Sequence, residues 1–280
     1  MDFVMLFDEQ YSGEGIVCLQ SIKARSPSSK IWVLCLTPTI ETPVGATGAT
    51  VVPLTDLEAA YPNIAATKST RPWAPYTQSL KPYLVEYVFD NYEDAEVVTY
   101  VDSDMYFWGD PSEIDTEFGS HSFMVTKRTG LTEGQTGVFF NGGCFTCRDD
   151  ENCRELLTWW KGKVYQWCLW EDGPDGAYCE AGYLNVLRDE PTLFSGTHVC
   201  AHPGINTAPW NIRDYDLQET EGQLTVDGRT LVCYHYRAYT KQTEVFDASL
   251  MLDSFTEDIR LKLYLPYHDL LPMPEPSREG

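Results

Sequence analysis

Val97-Val98-Thr99-Tyr100-Val101-Asp102-Ser103-Asp104 is an apolar, β-prone run that ends in two carboxylates one residue apart. A strand delivers its side chains with period two, so this run predicts a core strand with Asp102 and Asp104 leaving its tip on the same side. Two hard oxygen ligands placed this way can hold Mg²⁺ or Mn²⁺ against the phosphates of a nucleotide. The competing reading is an acidic turn after a strand, since aspartate is common in turns.

Upstream of that run, strands and helices alternate. Residues 2–7 read as a first core strand, and Ser12-Gly13-Glu14-Gly15 opens a helix over 16–24. A strand over 31–36, a Pro/Gly/Thr loop over 37–48, a strand over 50–53 and a short helix over 56–61 follow. A loop stiffened by Pro72 and Pro75 leads into a helix over 77–92. This alternation predicts an α/β fold with a mostly parallel sheet flanked by helices. Ligands of such sheets bind outside the carboxyl ends of the strands, where Asp8 and the Asp102/Asp104 pair both fall.

Beyond Gly109-Asp110-Pro111 the rhythm breaks. Short strands are expected at 121–126, 137–140, 192–195 and 230–234, and helices near 150–160 and 175–187. Residues 205–228 read as loop, with Asp227-Gly228 as a hairpin turn. The tail after Pro266, with Pro272, Pro274 and Pro276, is expected to pack loosely or fray. The expected layout is one structural domain with a nucleotide-binding half (1–110), an acceptor- and sugar-binding half (111–245) and a C-terminal helix and tail (246–280).

The formal charge of −22, from 20 basic and 42 acidic groups, disfavours nucleic acid or an anionic membrane as partner. A phosphorylated substrate would need local neutralisation, by a metal or a few placed cations. No stretch has the ~18 apolar residues of a membrane span. The first residues, Met1-Asp2-Phe3-Val4-Met5, carry no basic leader pattern, so a cytoplasmic protein is expected, with oligomerisation open. The nine cysteines read as free core residues. Structural zinc on Cys144, Cys147, Cys153 and Cys168 is the alternative, since the Cys144/Cys147 spacing suits half a site.

Six stretches together resemble the GT-A-fold nucleotide-sugar glycosyltransferases, in particular the glycogenin/galactosyltransferase-like group and its bacterial relatives. They are Phe7-Asp8-Glu9-Gln10-Tyr11, Leu80-Lys81-Pro82-Tyr83, Tyr100-Val101-Asp102-Ser103-Asp104-Met105 (a DxD element), Phe139-Phe140-Asn141-Gly142-Gly143 (an FNxG strand and turn), Val232-Cys233-Tyr234-His235-Tyr236, and the loop His202 to Asn211. The resemblance covers about residues 2–240.

It implies a metal-dependent transfer of a sugar from a nucleotide donor, UDP-linked above others, to a saccharide, lipid-linked saccharide or small glycoside, with retention of configuration. Asp102, Asp104 and His235 would hold Mn²⁺ or Mg²⁺, with Ser103 beside them at the donor. Asp8, Tyr11, Lys81 and Lys241 would contact the nucleotide and diphosphate. Arg71, in its proline-bounded loop, can bracket phosphate with its planar fork. Asn141 and Gly142 would approach the sugar, and Asn206, Trp210 and Asn211 would line its wall, with Trp210 offering its face to a pyranose. The chain departs from the family where relatives have an Asp-Gln pair, here Glu180-Ala181. Glu180 remains available to steady the anomeric centre or act as a base, and Asp175 is its rival. Polysaccharide biosynthesis and decoration of a small metabolite stay open. A sugar-nucleotide-forming nucleotidyltransferase is disfavoured because residues 8–15 carry no Lys or Arg for a triphosphate. A sugar-binding homologue without activity is the remaining alternative.

Overall fold

A computed structural model describes residues 1–128, 137–174, 177–237, 239 and 256–272. Its centre is a seven-stranded sheet in the order β3-β2-β1-β4-β7-β6-β8. The strands are β1 (Asp2–Phe7), β2 (Ile31–Cys35), β3 (Thr50–Pro53), β4 (Val97–Val101), β6 (Phe123–Lys127), β7 (Phe140–Arg148) and β8 (Thr197–Val199). Strand β1 runs parallel to β2 and β4, and β2 to β3. Strand β7 is antiparallel to β4 and β6, and β8 is parallel to β6. The sheet is therefore mixed, with its parallel half built by the N-terminal crossovers.

Both faces of β1 are covered, as the lack of polar alternation along Phe3-Val4-Met5-Leu6-Phe7 requires. Phe3, Met5 and Phe7 enter one core with Leu19 and Ile22 of the helix Ser12–Arg25. Val4 and Leu6 enter the other, with Leu84 and Val88 of the helix Lys81–Asn91 and Leu157 and Trp160 of the helix Glu151–Gln166. A Cβ on Gly15 would stand 2.7 Å from the Phe7 ring, so only glycine lets the first helix lie this close to the end of β1.

Two smaller sheets complete the fold. Strand β5 (Met105–Phe107) pairs antiparallel with β12 (Cys233–His235), and β9 (Leu217–Thr220), β10 (Gln223–Val226) and β11 (Arg229–Thr230) form a meander. The β10–β11 turn is the expected one, with Asp227 at φ 49° and Gly228 at φ 73°.

Several local expectations are corrected. Residues 37–48 contain a 3₁₀ turn (Pro38–Ile40) and a helix (Glu41–Ala46); their prolines sit in first turns, where no N–H is needed. The helix over 77–92 is two helices, Trp73–Ser79 and Lys81–Asn91, because Pro82 cannot donate back across the junction. The 137–140 strand is instead β7, so Asn141-Gly142-Gly143 lie inside a strand, opposite an irregularity at Val125/Thr126. Residues 192–195 form no strand; the strand lies at Thr197–Val199. Over 175–187 the described part is a 3₁₀ turn (Ala181–Asn185) leading into a helix (Val186–Asp189). After Pro266 the described residues stay packed, with Tyr267 fully buried in an aromatic core with Tyr236 and Tyr264; Pro274 and Pro276 lie outside the described residues.

The zinc alternative also fails. Cys144 packs into one core while Cys147, Cys153 and Cys168 pack into the other, since residues three apart on a strand face opposite sides. All nine cysteines are free and buried.

Candidate active site

Strand β4 ends at Val101, and Asp102 and Asp104 follow on the short link to β5. Pairing of β5 with β12 sets His235 opposite Met105, which carries the histidine to the tip of β4. His235 Nε2 lies 3.1 Å from Asp104 Oδ1 and 4.0 Å from Asp102 Oδ2. One ligating atom from each of the three residues lies within 4.8 Å of the other two.

The remaining atoms of these side chains are already held. Asp102 Oδ1 accepts from Lys81 Nζ at 3.0 Å and from the Tyr100 hydroxyl at 2.9 Å, which leaves Oδ2 facing the histidine. His235 Nδ1 lies 3.2 Å from Asn206 Oδ1. The amide orientations follow from their neighbours. Asn141 Oδ1 accepts the Gly143 N–H at 2.9 Å, so it must also be the acceptor for Asn206 Nδ2 at 3.0 Å. Asn206 Nδ2 also reaches Thr126 Oγ1 at 2.6 Å. Asn206 Oδ1 is thus an acceptor, His235 Nδ1 carries a proton, and Nε2 is the ring nitrogen that faces the two aspartates.

This donor set, two carboxylate oxygens and an imidazole with a carbonyl oxygen behind it, fits Mn²⁺ or Mg²⁺. The space is kept open by Gly143, where a Cβ would stand 2.4 Å from Asp102 Oδ2 and 2.7 Å from His235 Cε1. Burial alone would raise the Asp104 carboxyl, but the His235 ring and Arg237 outweigh it and hold it below its ordinary range.

Lys81 joins this cluster to Glu180. Its ammonium is 1% exposed and spends its three protons on Asp102 Oδ1, Glu180 Oε1 (2.9 Å) and Gly142 O (3.0 Å). Burial opposes that charge, yet Asp102 and Glu180 raise its pKa above the ordinary lysine value. Gly142 gives Glu180 room, since a Cβ there would stand 2.7 Å from its Oε1. The Glu180 carbonyl is fixed by the Trp160 indole N–H at 2.9 Å.

Asp8 sits at the end of β1, as expected. Its Oδ1 caps Gln10 N at 3.0 Å, and its Oδ2 accepts from Trp73 Nε1 at 2.8 Å. Tyr11 is 51% exposed; burial of its hydroxyl, then Asp104 and Asp8, raise its pKa, which puts it beside the same acidic cluster. Ser103 is buried between the two aspartates.

Other expected residues have different contacts from those expected. Arg71 donates to the Tyr165 carbonyl and lines a cleft of about 400 Å³ with Thr67, Gln166 and Trp167. Asn211 Oδ1 accepts the Ala208 N–H at 2.7 Å and closes a turn. Trp210 is 3% exposed, edge-on to His235 at 5.1 Å, with the Arg128 guanidinium over its ring; its face is not open to a pyranose. Asp175 and Lys241 lie outside the described residues. Trp73, Arg128 and the particular role of Gly143 beside the metal ligands escape sequence reasoning, although Gly143 itself belongs to the FNxG stretch. Only the glycine carries a signal, as the second of a pair after the asparagine.

No family model matches the chain. Two curated relatives are uncharacterized proteins of Bacillus subtilis (strain 168). YfnD is 28% identical over 213 residues, covering 74% of this chain and 67% of YfnD. YfnF is 24% identical over 240 residues, covering 81% and 77%. Among solved structures, the galactosyltransferase LgtC in complex with donor and acceptor sugar analogs matches at TM-score 0.56 and 17% identity, over 94% of this chain and 100% of LgtC. Mouse xyloside xylosyltransferase 1 matches at TM-score 0.54 and 12% identity, over 85% and 97%. The chain thus has the GT-A-type glycosyltransferase fold. No helix among the described residues is long and apolar enough to cross a membrane.

Proposed function

We propose that the chain is a metal-dependent glycosyltransferase that moves a sugar from a nucleoside-diphosphate donor, UDP-linked in the first instance, to a saccharide or glycoside acceptor with retention. The observation that carries this reading is the convergence of Asp102, Asp104 and His235 at the carboxyl end of β4. The fold shared with LgtC and the xylosyltransferase supports it.

Asp102 Oδ2, Asp104 and His235 Nε2 would hold Mn²⁺ or Mg²⁺, which when bound supplies Lewis-acid stabilisation to the leaving diphosphate. Asp8 and Tyr11 take the base and ribose end, Asp8 as acceptor and Tyr11 as a stacking face. Lys81 binds no phosphate here, because its protons are committed; it holds Asp102 and Glu180 at a fixed separation. Glu180, paired with Lys81 at 2.9 Å, faces positive charge developing at the anomeric carbon. Asn141 and Asn206 orient His235 through Asn206 Oδ1. With no free nucleophile among the described residues beside Glu180, the acceptor oxygen attacks from the face the diphosphate leaves. The departing phosphate oxygen takes the acceptor proton.

The test is hydrolysis of UDP-, GDP-, ADP- and TDP-sugars without acceptor, with Mn²⁺ or EDTA, beside Asp104→Asn. Slow release of one nucleoside diphosphate, lost in EDTA and in the variant, is expected. Turnover that survives either treatment overturns the mechanism.

A further inference from the structure

Arg128 follows β6 directly, and its backbone N–H still bonds Phe139 O at 2.8 Å. Its guanidinium carbon lies over the Trp210 ring, 5.3 Å from the centroid. Its Nε is buried and has no hydrogen-bond partner among the described residues. No carboxylate pairs with it among those residues. In a chain with 42 acidic and 20 basic groups this half-buried guanidinium stands out, because a buried N–H is normally hydrogen-bonded. The charged neighbour it does feel is Arg237, of the same sign; burial and Arg237 together lower its pKa to about 10, against a smaller opposite effect from Tyr178.

Its place in the fold ties it to the candidate active site. Trp210 touches His235 edge-on. Arg237 is close enough to lower the pKa of Asp104. Tyr178 stands two residues before Glu180. The guanidinium therefore lies on the Trp210 side of the histidine. Folding buries an N–H without satisfying it and brings two like charges together, costs that a bound anion would offset.

We propose that Arg128, laid on Trp210, recognises a negatively charged group, carboxylate or phosphate, carried by a sugar substrate and separate from the donor diphosphate. The planar fork of arginine pairs with either oxyanion through two parallel hydrogen bonds. Arg237, next to Tyr236 whose backbone N–H bonds Asp104 O at 2.8 Å, is better placed for the diphosphate, whereas Arg128 is connected to the metal-ligand set through Trp210, which packs against both its guanidinium and His235. The strongly negative field of the rest of the chain would repel an anionic sugar anywhere else, so selectivity for one would report a local cation.

This inference rests on the glycosyl-transfer reading of the same site, and the experiment separates the two. The full chain is titrated calorimetrically with Mn²⁺ and each of UDP, GDP, ADP and TDP. The loaded protein then receives methyl glucuronide and glucose 6-phosphate against methyl glucoside, and UDP-glucuronate is compared with UDP-glucose. The first pair of arms reads an acceptor anion and the second a donor-sugar anion. At least one charged probe should bind roughly 10- to 100-fold tighter than its neutral counterpart. Arg128→Met should erase that preference with nucleotide affinity unchanged, and Arg128→Lys, which keeps charge but not the fork, should retain part of it. Equal binding of charged and neutral probes overturns the proposal, as does an Arg128→Met protein that loses nucleotide affinity by the same factor. Failure of every nucleotide to bind overturns the glycosyl-transfer reading instead. The sugar titrations repeated without nucleotide then still decide the role of Arg128.

Discussion

Lys81→Met tests the charge balance on which the site is built. The substitution keeps most of the length of the side chain and removes an ammonium that is 1% exposed and bonded to Asp102, Glu180 and Gly142 O. Apart from the His235 ring, the cluster holds three carboxylates (Asp102, Asp104, Glu180) and one ammonium, a net −2 that a divalent cation cancels. The variant holds a net −3. Removing one partner of a buried ion pair costs about 3–5 kcal/mol, because the other is left charged and unpaired. For a domain of this size that corresponds to a fall in Tm on the order of 10 °C. Without the lysine, Asp102 and Glu180 repel each other, a penalty that proton uptake by the folded variant relieves. The deficit relative to wild type is therefore largest at high pH and shrinks as pH falls. Thermal melts across a pH series in EDTA read both effects. Saturating Mn²⁺ should raise Tm more in the variant than in wild type, since it supplies the missing positive charge. A variant that melts within about 2 °C of wild type in EDTA at neutral pH, or a deficit independent of pH, would refute the reasoning.

Asn206→Gly removes the acceptor behind His235 Nδ1 without straining a backbone held at φ 59°; calorimetry should show Mn²⁺ affinity down about 10- to 100-fold, the usual loss for such a partner. Gly143→Ala puts a methyl 2.4 Å from Asp102 Oδ2; circular dichroism should report a folded protein at a cost of about 1–3 kcal/mol, while Mn²⁺-dependent protection by nucleotide disappears. Burial would raise the Glu117 carboxyl, but the Ala201 N–H and the His198 ring hold it below its ordinary value. Its stabilisation is therefore complete above the unfolded pKa of about 4.3 and is lost as pH falls through the lower folded value. Glu117→Gln should accordingly lose about 1–2 kcal/mol at neutral pH, with the difference from wild type vanishing in acid; a constant offset in denaturant melts would contradict this.

The residues of the parallel half were legible one by one. The apolar runs at 2–7, 31–35 and 97–101 are long enough to be strands and too short to be helices, and period two puts Asp102 and Asp104 on one side of the strand tip. The turn at Asp227-Gly228 was equally local, since left-handed backbone at both positions calls for those residue types. What failed was also local but balanced on a single residue. Pro82 splits one expected helix into two, and Asn141-Gly142-Gly143, which read as a turn, continues a strand because β4 and β6 pair with it on either side.

The sequence alone determined which residues were chemically able to build a metal-diphosphate site, because ligand type and strand period are properties of a few consecutive residues. Only the tertiary structure decided how they are used. Pairing of β5 with β12 brings His235 to Asp104 across 131 positions. The Asn141–Asn206 chain puts a proton on Nδ1 of that ring, and folding places the Lys81 ammonium between Asp102 and Glu180. Arg128 shows nothing in its own segment; its unpaired Nε exists because Trp210, from a distant loop, covers it. Such roles depend on which neighbours consume a group's hydrogen bonds and exclude its water, and those neighbours are chosen by packing between segments that no local pattern connects.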